Sequence, residues 1–309
     1  MRMSPVARGL VVSVVAGVLA SSIGLSPVVA DDGTDTVPPP QKVVPGLVLE
    51  RAPEPEPQPR APLRALTRLR DKVELPTSLD LTMVQANITS QQSTAAFAAD
   101  LTRVLAGRPD VVTLNEAVRP DAMLAREGYA FHRGYDSRWT METTVMWRED
   151  RWDVVSTGTR YLHRRGGTWG TRAVNWVVLE DDLTGRRISV ISAHPSPEGP
   201  SSRGLLPVFM GALASLVHEL AVEGPVFVGG DLNAHYTSGR FPRPALVASG
   251  LAPTYDVFGM PAGGTGDHGG ATIDYLLFQP GQGVTATSQV KLELASDHDA
   301  VVGTFTWSW

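Results

Sequence analysis

Apolar and polar positions alternate along Leu81–Ala86, and the run delivers Asn87 at its end, which predicts a strand. After Ser93-Thr94, the residues Phe97, Leu101, Val104 and Leu105 recur at helical spacing until Gly107 and Pro109 stop the pattern. Val111–Leu114 reads as a buried strand that ends at Asn115-Glu116. Further strands are expected over Thr143–Arg148, Val154–Arg160, Arg172–Leu179 and Arg187–Ala193. The last two flank Asp181–Gly185, a segment with the composition of a hairpin turn. A long helix follows, with Leu206, Phe209, Met210, Leu213, Leu216, Val217 and Leu220 on one face, and Gly224-Pro225 ends it. Val226–Val228 then runs into Gly229-Gly230-Asp231, while Ile273–Phe278 and Ala300–Trp307 complete the strands. Hairpins mixed with crossovers imply an α/β protein whose mixed sheets are covered outside by helices.

Composition narrows the class. The 309 residues are 42% hydrophobic and 19% charged, an ordinary globular balance that excludes disordered, collagen-like and disulfide-stapled proteins. A formal charge of −5 argues against nucleic-acid binding by bulk charge alone. The absence of cysteine excludes thiol nucleophiles, Cys-ligated zinc and iron–sulfur clusters. Residues 1–30 read as an export signal. Arg2 and Arg8 form the basic start, Leu10–Leu25 the apolar stretch, and small residues up to Ala30 a cleavage site before Asp31-Asp32. A membrane anchor would want ~20 apolar residues, more than this run supplies. Residues 31–77, with Pro38-Pro39-Pro40 and a Pro-Glu alternation at 53–57, read as an extended linker to a secreted catalytic domain at 78–309.

Candidate chemistry follows from where the strands end. Asn87, Glu116, His194 and Asp231 each come directly after an apolar strand run, whereas Asp274 and Asp297-His298 come near the start of one. If the second group runs antiparallel to the first, all converge on one edge of the sheets. Glu116, Asp231, Asp274 and Asp297 are hard oxygen donors suited to Mg²⁺ or Mn²⁺. Asn87 and Asn233 can donate to phosphoryl oxygens as charge develops. His194 and His298 supply acid–base function near neutral pH. These parts together suit metal-assisted phosphodiester hydrolysis.

In order along the chain, Asn87, Leu114-Asn115-Glu116, Ser192-Ala193-His194, Gly230-Asp231-Leu232-Asn233, Ile273-Asp274-Tyr275 and Ser296-Asp297-His298 resemble the endonuclease/exonuclease/phosphatase superfamily over nearly all of 79–309. The resemblance implies a four-layer α/β/β/α sandwich of two mixed β-sheets flanked by helices. It also implies Glu116 as the main metal ligand, with Asn87 and Asp297 completing the site, and Ca²⁺ as a candidate structural ion. Asp231 would activate or position the attacking water, and Asn233 would orient the phosphate. Asp274 would pair with His298, which in the superfamily is given as a general base or as a phosphate-contacting cation. His194 is similar to the second histidine of pancreatic-type deoxyribonucleases and sphingomyelinases, where it assists the leaving group. Arg172 resembles the phosphate-contacting arginine, and Glu142 the carboxylate that holds the tautomer of His194. The Asp267-His268 pair, set among glycines, reads as a mobile loop near the site.

Substrate is not named by fold or catalytic set. Arg126 to Arg172 carries nine arginines against six acidic residues, with Trp139 and Trp169 nearby, which favours a polyanion or else forms a solvated face. The first expectation is a non-specific endonuclease acting on DNA. A sphingomyelinase-like or other small phosphoester hydrolase, with a lipid headgroup as partner, stands second. A catalytically inert surface-binding domain is the reading from another class. No protein partner is implied, and a monomer is the default.

Overall fold

A computed structural model of the protein describes residues 76–164 and 169–309. The expected signal segment with its cleavage after Ala30, and all but the last two residues of the linker, lie outside the described residues.

One sheet is built from β1 (Ser78–Asn87), β2 (Val111–Asn115), β3 (Tyr129–His132), β4 (Thr144–Arg148), β11 (Val284–Leu292) and β12 (Ala300–Ser308), in the spatial order β11-β12-β1-β2-β4-β3. The other contains β5 (Trp152–Arg164), β6 (Thr171–Asp181), β7 (Arg187–Ala193), β8 (Val226–Asp231), β9 (Ala252–Pro253) and β10 (Asp274–Phe278), in the order β5-β6-β7-β8-β10-β9. These are the two mixed sheets that the superfamily resemblance implies.

Period-two alternation splits each strand between two environments. Along β1, Val84 and Ala86 pack with Phe97, Leu101 and Val104 of helix α1 (Thr94–Leu105) on the outer face. Leu79, Leu81 and Met83 instead join the core between the sheets. Helix α1 begins where Ser93 accepts a hydrogen bond from the Ala96 amide, as a serine N-cap should. Four further helices are short: α2 (Asp121–Leu124), α3 (Arg138–Met141), α5 (Arg243–Ala248) and α6 (Tyr255–Phe258). The long helix α4 (Leu205–Leu220) buries the seven apolar residues expected of it, except that Leu205 takes the place of half-buried Leu206. Phe305 meets Phe227 at 5.2 Å and Phe278 at 5.5 Å between ring centroids, locking the sheets together across the core.

Three strands escape the sequence pattern. β3 is half-buried throughout, β9 is two residues long, and β11 is an edge strand with mostly polar, exposed positions. Polarity matters more for function. β1 and β2 run parallel, as do β7 and β8, while β12 is antiparallel to β1 and β10 to β8. The ends of four strands therefore meet the beginnings of two others at one edge.

Candidate active site

Asp231, the last residue of β8, sits at the centre of that edge. Its backbone amide donates to Asn115 Oδ1 (2.7 Å), and its Oδ1 accepts from the Asn233 amide (2.7 Å). The Asn87 amide at the end of β1 donates to Asp231 Oδ2 (3.1 Å) and lies 3.3 Å from His298 Nε2. Asp274 opens β10 directly opposite Asp231, and its Oδ2 is 2.9 Å from His298 Nδ1. Asp231 Oδ2 is then 3.7 Å from His298 Nε2 and 3.7 Å from His194 Nε2, so one carboxylate oxygen faces two imidazoles.

Glu116 follows β2 in the left-handed region at φ 56°, and Asn233 follows β8 at φ 51°. Both are rare for residues with a side chain, and both hold site groups at strand ends. The Glu116 carboxylate is half-buried and accepts from Thr89 Oγ1 (3.4 Å). Asn233 Nδ2 donates to the Pro195 carbonyl (3.0 Å), tying it to the His194 segment. Asp297 is exposed at the rim. Ser296 Oγ donates to the Asn87 carbonyl (2.9 Å), which binds the start of β12 to the end of β1.

Electrostatics divide the two histidines. Burial pulls His298 down, but the carboxylates of Asp274, Asp231 and Asp297 outweigh it and raise its pKa to about 10. Burial pushes His194 well below the usual imidazole range, and the charges of Arg172 and His298 push it the same way. Asp231 is pushed up to about 7 by burial and by the Asp274 charge.

Arg172 and Glu142 depart from what the resemblance implies. Arg172 is fully buried, ion-paired with Glu142, and flanked by Trp139 and Trp169 with its guanidinium carbon 4.8 and 5.3 Å from their ring centroids. A guanidinium shut away from water requires a counter-charge, which Glu142 supplies, while Arg172 Nη2 is left buried without a hydrogen-bond partner. Glu142 Oε1 is 3.6 Å from His194 Nδ1, too long for a hydrogen bond. Burial pushes the Glu142 carboxyl up to about 7 against the pull of Arg172. The arginine-rich segment is likewise largely neutralised: Arg133 pairs with Asp121, Arg148 and Arg151 share Asp110, and Arg160 pairs with Glu219.

The structure gives the Asp267-His268 pair, expected on a mobile loop near the site, a fixed place, and it adds a buried layer that the pattern did not single out. His268 lies against His298, with ring centroids 4.3 Å apart, and its loop is tied by backbone hydrogen bonds rather than hanging free. A buried polar layer beneath the site links Thr113, Gln85 and Asn115 to the Asp231 amide. Polar residues inside strands, Gln85 and Thr113 above all, were its signal in the sequence.

The donor set fits a divalent cation. Asn87 Oδ1 and Asp274 Oδ1 are buried without a hydrogen-bond partner, and Glu116 and Asp297 offer carboxylates that reach solvent. Asp231, Asp274 and His298 also present potential ligand atoms within 4.8 Å of one another.

Comparison with known proteins agrees with this geometry. A catalytic domain of human nocturnin with bound sulfate superposes with a TM-score of 0.60 at 18% identity, covering 74% of this chain and 96% of that one. A mannosyl-6-phosphatase from Bacteroides thetaiotaomicron gives 0.56 at 17% identity, covering 73% and 99%. An endonuclease/exonuclease/phosphatase family protein from the same organism gives 0.60 at 17%, covering 76% and 100%. No protein with a curated description matches the sequence. At these identities the superpositions speak for the fold. The family model for the Endonuclease/Exonuclease/phosphatase family matches residues 84–298, which span the whole candidate site from β1 to His298. The chain belongs to the endonuclease/exonuclease/phosphatase family and is a phosphoric ester hydrolase.

Proposed function

We propose that the chain is an exported, Mg²⁺-dependent phosphodiesterase that cleaves DNA without sequence preference. The observation that carries this reading is Asp231 Oδ2 standing 3.7 Å from each of two imidazoles of opposite character, one raised and one lowered in pKa. A diester has a poor alkoxide leaving group, and two differently tuned proton carriers around one carboxylate suit that task.

Glu116, Asn87 and Asp297 are the residues that would hold Mg²⁺ or Mn²⁺, which supplies polarisation of a phosphoryl oxygen when bound. Asp231, with a carboxyl near 7, takes the proton of the attacking water. His298, kept cationic by Asp274, directs its Nε2 proton at the charge developing on the phosphoryl group. Asn233, fixed through its amide nitrogen to Pro195, orients the phosphate with its remaining polar face. His194 begins neutral, so its service to the leaving group requires that it first accept a proton, and its two carboxyl neighbours stand at nearly equal distances, Glu142 at 3.6 Å from Nδ1 and Asp231 at 3.7 Å from Nε2. Trp169, 38% exposed, and Trp139 offer aromatic faces beside this half of the site, with Arg138 4.9 Å over the Trp139 ring. Such a rim can stack a base and steer a backbone phosphate without reading sequence.

A lipid phosphodiester is the second reading, favoured by exposed Val257, Phe258 and Met260 just ahead of the His268 loop. Supercoiled plasmid incubated with Mg²⁺, with and without chelator, and with a Glu116→Ala control, tests the proposal. Nicking that needs both the metal and Glu116 is the expected result. No nicking, with metal-dependent release of phosphocholine from sphingomyelin, would move the protein to the lipid reading.

A further inference from the structure

The loop at 261–271 belongs to no part of the mechanism above, yet it is built to hold one side chain in place. The Asp267 amide donates to the Asp297 carbonyl (2.8 Å) and the Asp299 amide to the Thr265 carbonyl (3.0 Å), so the loop pairs antiparallel with the segment that leads into β12. Thr265 is buried, and its hydroxyl accepts from the amides of Ile273 (3.1 Å) and Asp274 (3.3 Å). Gly266 has φ 139°, and a Cβ there would lie 2.2 Å from the Asp297 carbonyl oxygen, so the close approach requires glycine. The outcome is His268 packed against His298, with ring centroids 4.3 Å apart and planes tilted by 57°.

We propose that His268, Asp297 and His298 form a binding site for a borderline transition metal of the Zn²⁺ class, which shares Asp297 with the oxygen-donor site and uses neither Glu116 nor Asn87. One ligand atom from each of the three lies within 4.8 Å of the others. Ligands about 2.0–2.1 Å from a tetrahedral centre stand roughly 3.3 Å apart, a gap that rotation of the exposed Asp297 and a small ring shift can close. Asp274 Oδ2 on His298 Nδ1 is the carboxylate partner that metal-binding histidines characteristically have, and it leaves Nε2 as the nitrogen facing the ion. His268 Nε2 is buried with no hydrogen-bond partner. Two imidazoles and one carboxylate favour Zn²⁺ and its neighbours over Mg²⁺, which prefers an all-oxygen shell. Asp297 and His298 also belong to the hydrolytic machinery, and the ion must displace the Nε2 proton of His298 to solvent, so binding withdraws both groups and antagonises turnover. That consequence rests on the proposed function; the binding itself does not.

Calorimetric titration of the metal-stripped protein with Zn²⁺, alongside visible absorption of the Co²⁺ form, tests the site. With no cysteine in the chain, thiolate binding cannot mask the result. One equivalent of Zn²⁺ should bind, and both His268→Ala and His268→Gln should weaken it at least ~10-fold, since even an outer-shell partner commonly contributes that much. The Co²⁺ spectrum should change in the same variants. Zn²⁺ inhibition of the Mg²⁺-supported reaction, scaled to each variant's own zinc-free rate, should weaken by a similar factor. Equal Zn²⁺ affinity in wild type and both variants, or no stoichiometric binding to wild type, would overturn the site. Weakened binding with undiminished inhibition would overturn its link to turnover.

Discussion

Gly229→Ala is the sharpest test of how the interior of the sandwich sets the site. A Cβ at Gly229 would fall 1.9 Å from Thr113 Oγ1 and 3.0 Å from Gln85 Oε1, about 1.5 Å inside ordinary contact with the threonine hydroxyl. Thr113 cannot simply rotate, because its hydroxyl donates to Gln85 Oε1 (2.6 Å) and Gln85 Nε2 in turn donates to Asn115 Oδ1 (2.8 Å). Overpacking of a buried position costs ~1–3 kcal/mol, and one buried polar group left unpaired adds ~1–3 kcal/mol. A combined loss of about 2–6 kcal/mol in a domain of this size corresponds to roughly 5–20 °C in melting temperature. Asn115 Oδ1 also receives the Asp231 amide, so the disturbance reaches the central carboxylate and turnover should fall with it, toward ~10²-fold for a 1 Å displacement. Thermal unfolding of Gly229→Ala, Thr113→Ala and the double variant closes a cycle in which the double variant should lose clearly less than the sum. A Gly229→Ala protein melting within 1 °C of wild type, on the order of the smallest shift worth interpreting here, would refute the close approach, and strict additivity would refute the role given to Thr113.

His298→Ala should lower the plasmid-nicking rate by ~10²–10⁴-fold, and an unchanged rate in pure Mg²⁺ would remove His298 from the chemistry. Arg172→Met strands the buried Glu142 carboxyl, so urea unfolding should show a loss of ~3–5 kcal/mol; a loss below about 1 kcal/mol would mean the pair is not needed. In chelated protein, pH should act on stability through the site in two directions, because His194, lowered by burial, adds stability as pH rises toward 6.5 while three raised groups lose it. Asp231 rises from 3.8 to about 7 and Glu142 from 4.5 to about 7, so each contributes stability at acid pH that is lost between ~4 and ~7. His298 contributes stability below 6.5 that is lost as pH rises through about 10. The melting temperature of wild type minus that of Asp231→Asn should therefore fall from pH 4 to pH 7, and a rise would contradict the environment assigned to Asp231. Trp169→Ala should raise KM for short oligonucleotides more than it lowers kcat, and an unaltered KM would take the aromatic rim out of substrate binding.

Much of this was legible in the order of residues because strand ends are marked twice, by an apolar run and by the polar residue that terminates it. The runs before Asn87, Glu116, His194 and Asp231 are long and strongly apolar, so both the strands and the positions they deliver stand out. β3 and β11 did not stand out, since a half-buried four-residue strand and a polar edge strand carry little alternation. The arginine-rich segment misled in a different way. Sequence counts charges but not their partners, and Asp110, Asp121 and Glu219, which lie outside that segment, neutralise much of it from elsewhere in the fold. The loop of His268 was expected near the site but as a mobile one: glycines on either side read as looseness, whereas in the fold they permit the backbone contacts that hold the loop.

The same logic explains why the site tolerates strained and crowded backbone. Glu116 and Asn233 occupy left-handed conformations that cost of order 1–3 kcal/mol each, yet each lies within two residues of the end of a fully buried strand. Those strands cannot slide to relieve the strain without moving an entire apolar face to the wrong side. Register is pinned a second time where Gly230 approaches Ala193 too closely for any side chain, with a notional Cβ only 2.1 Å from the Ala193 carbonyl oxygen. His194 and Asp231 are the next residues along those two strands, so the contact that excludes a side chain at Gly230 also fixes the spacing between imidazole and carboxylate. Precision at the site is thus supplied by the sheets.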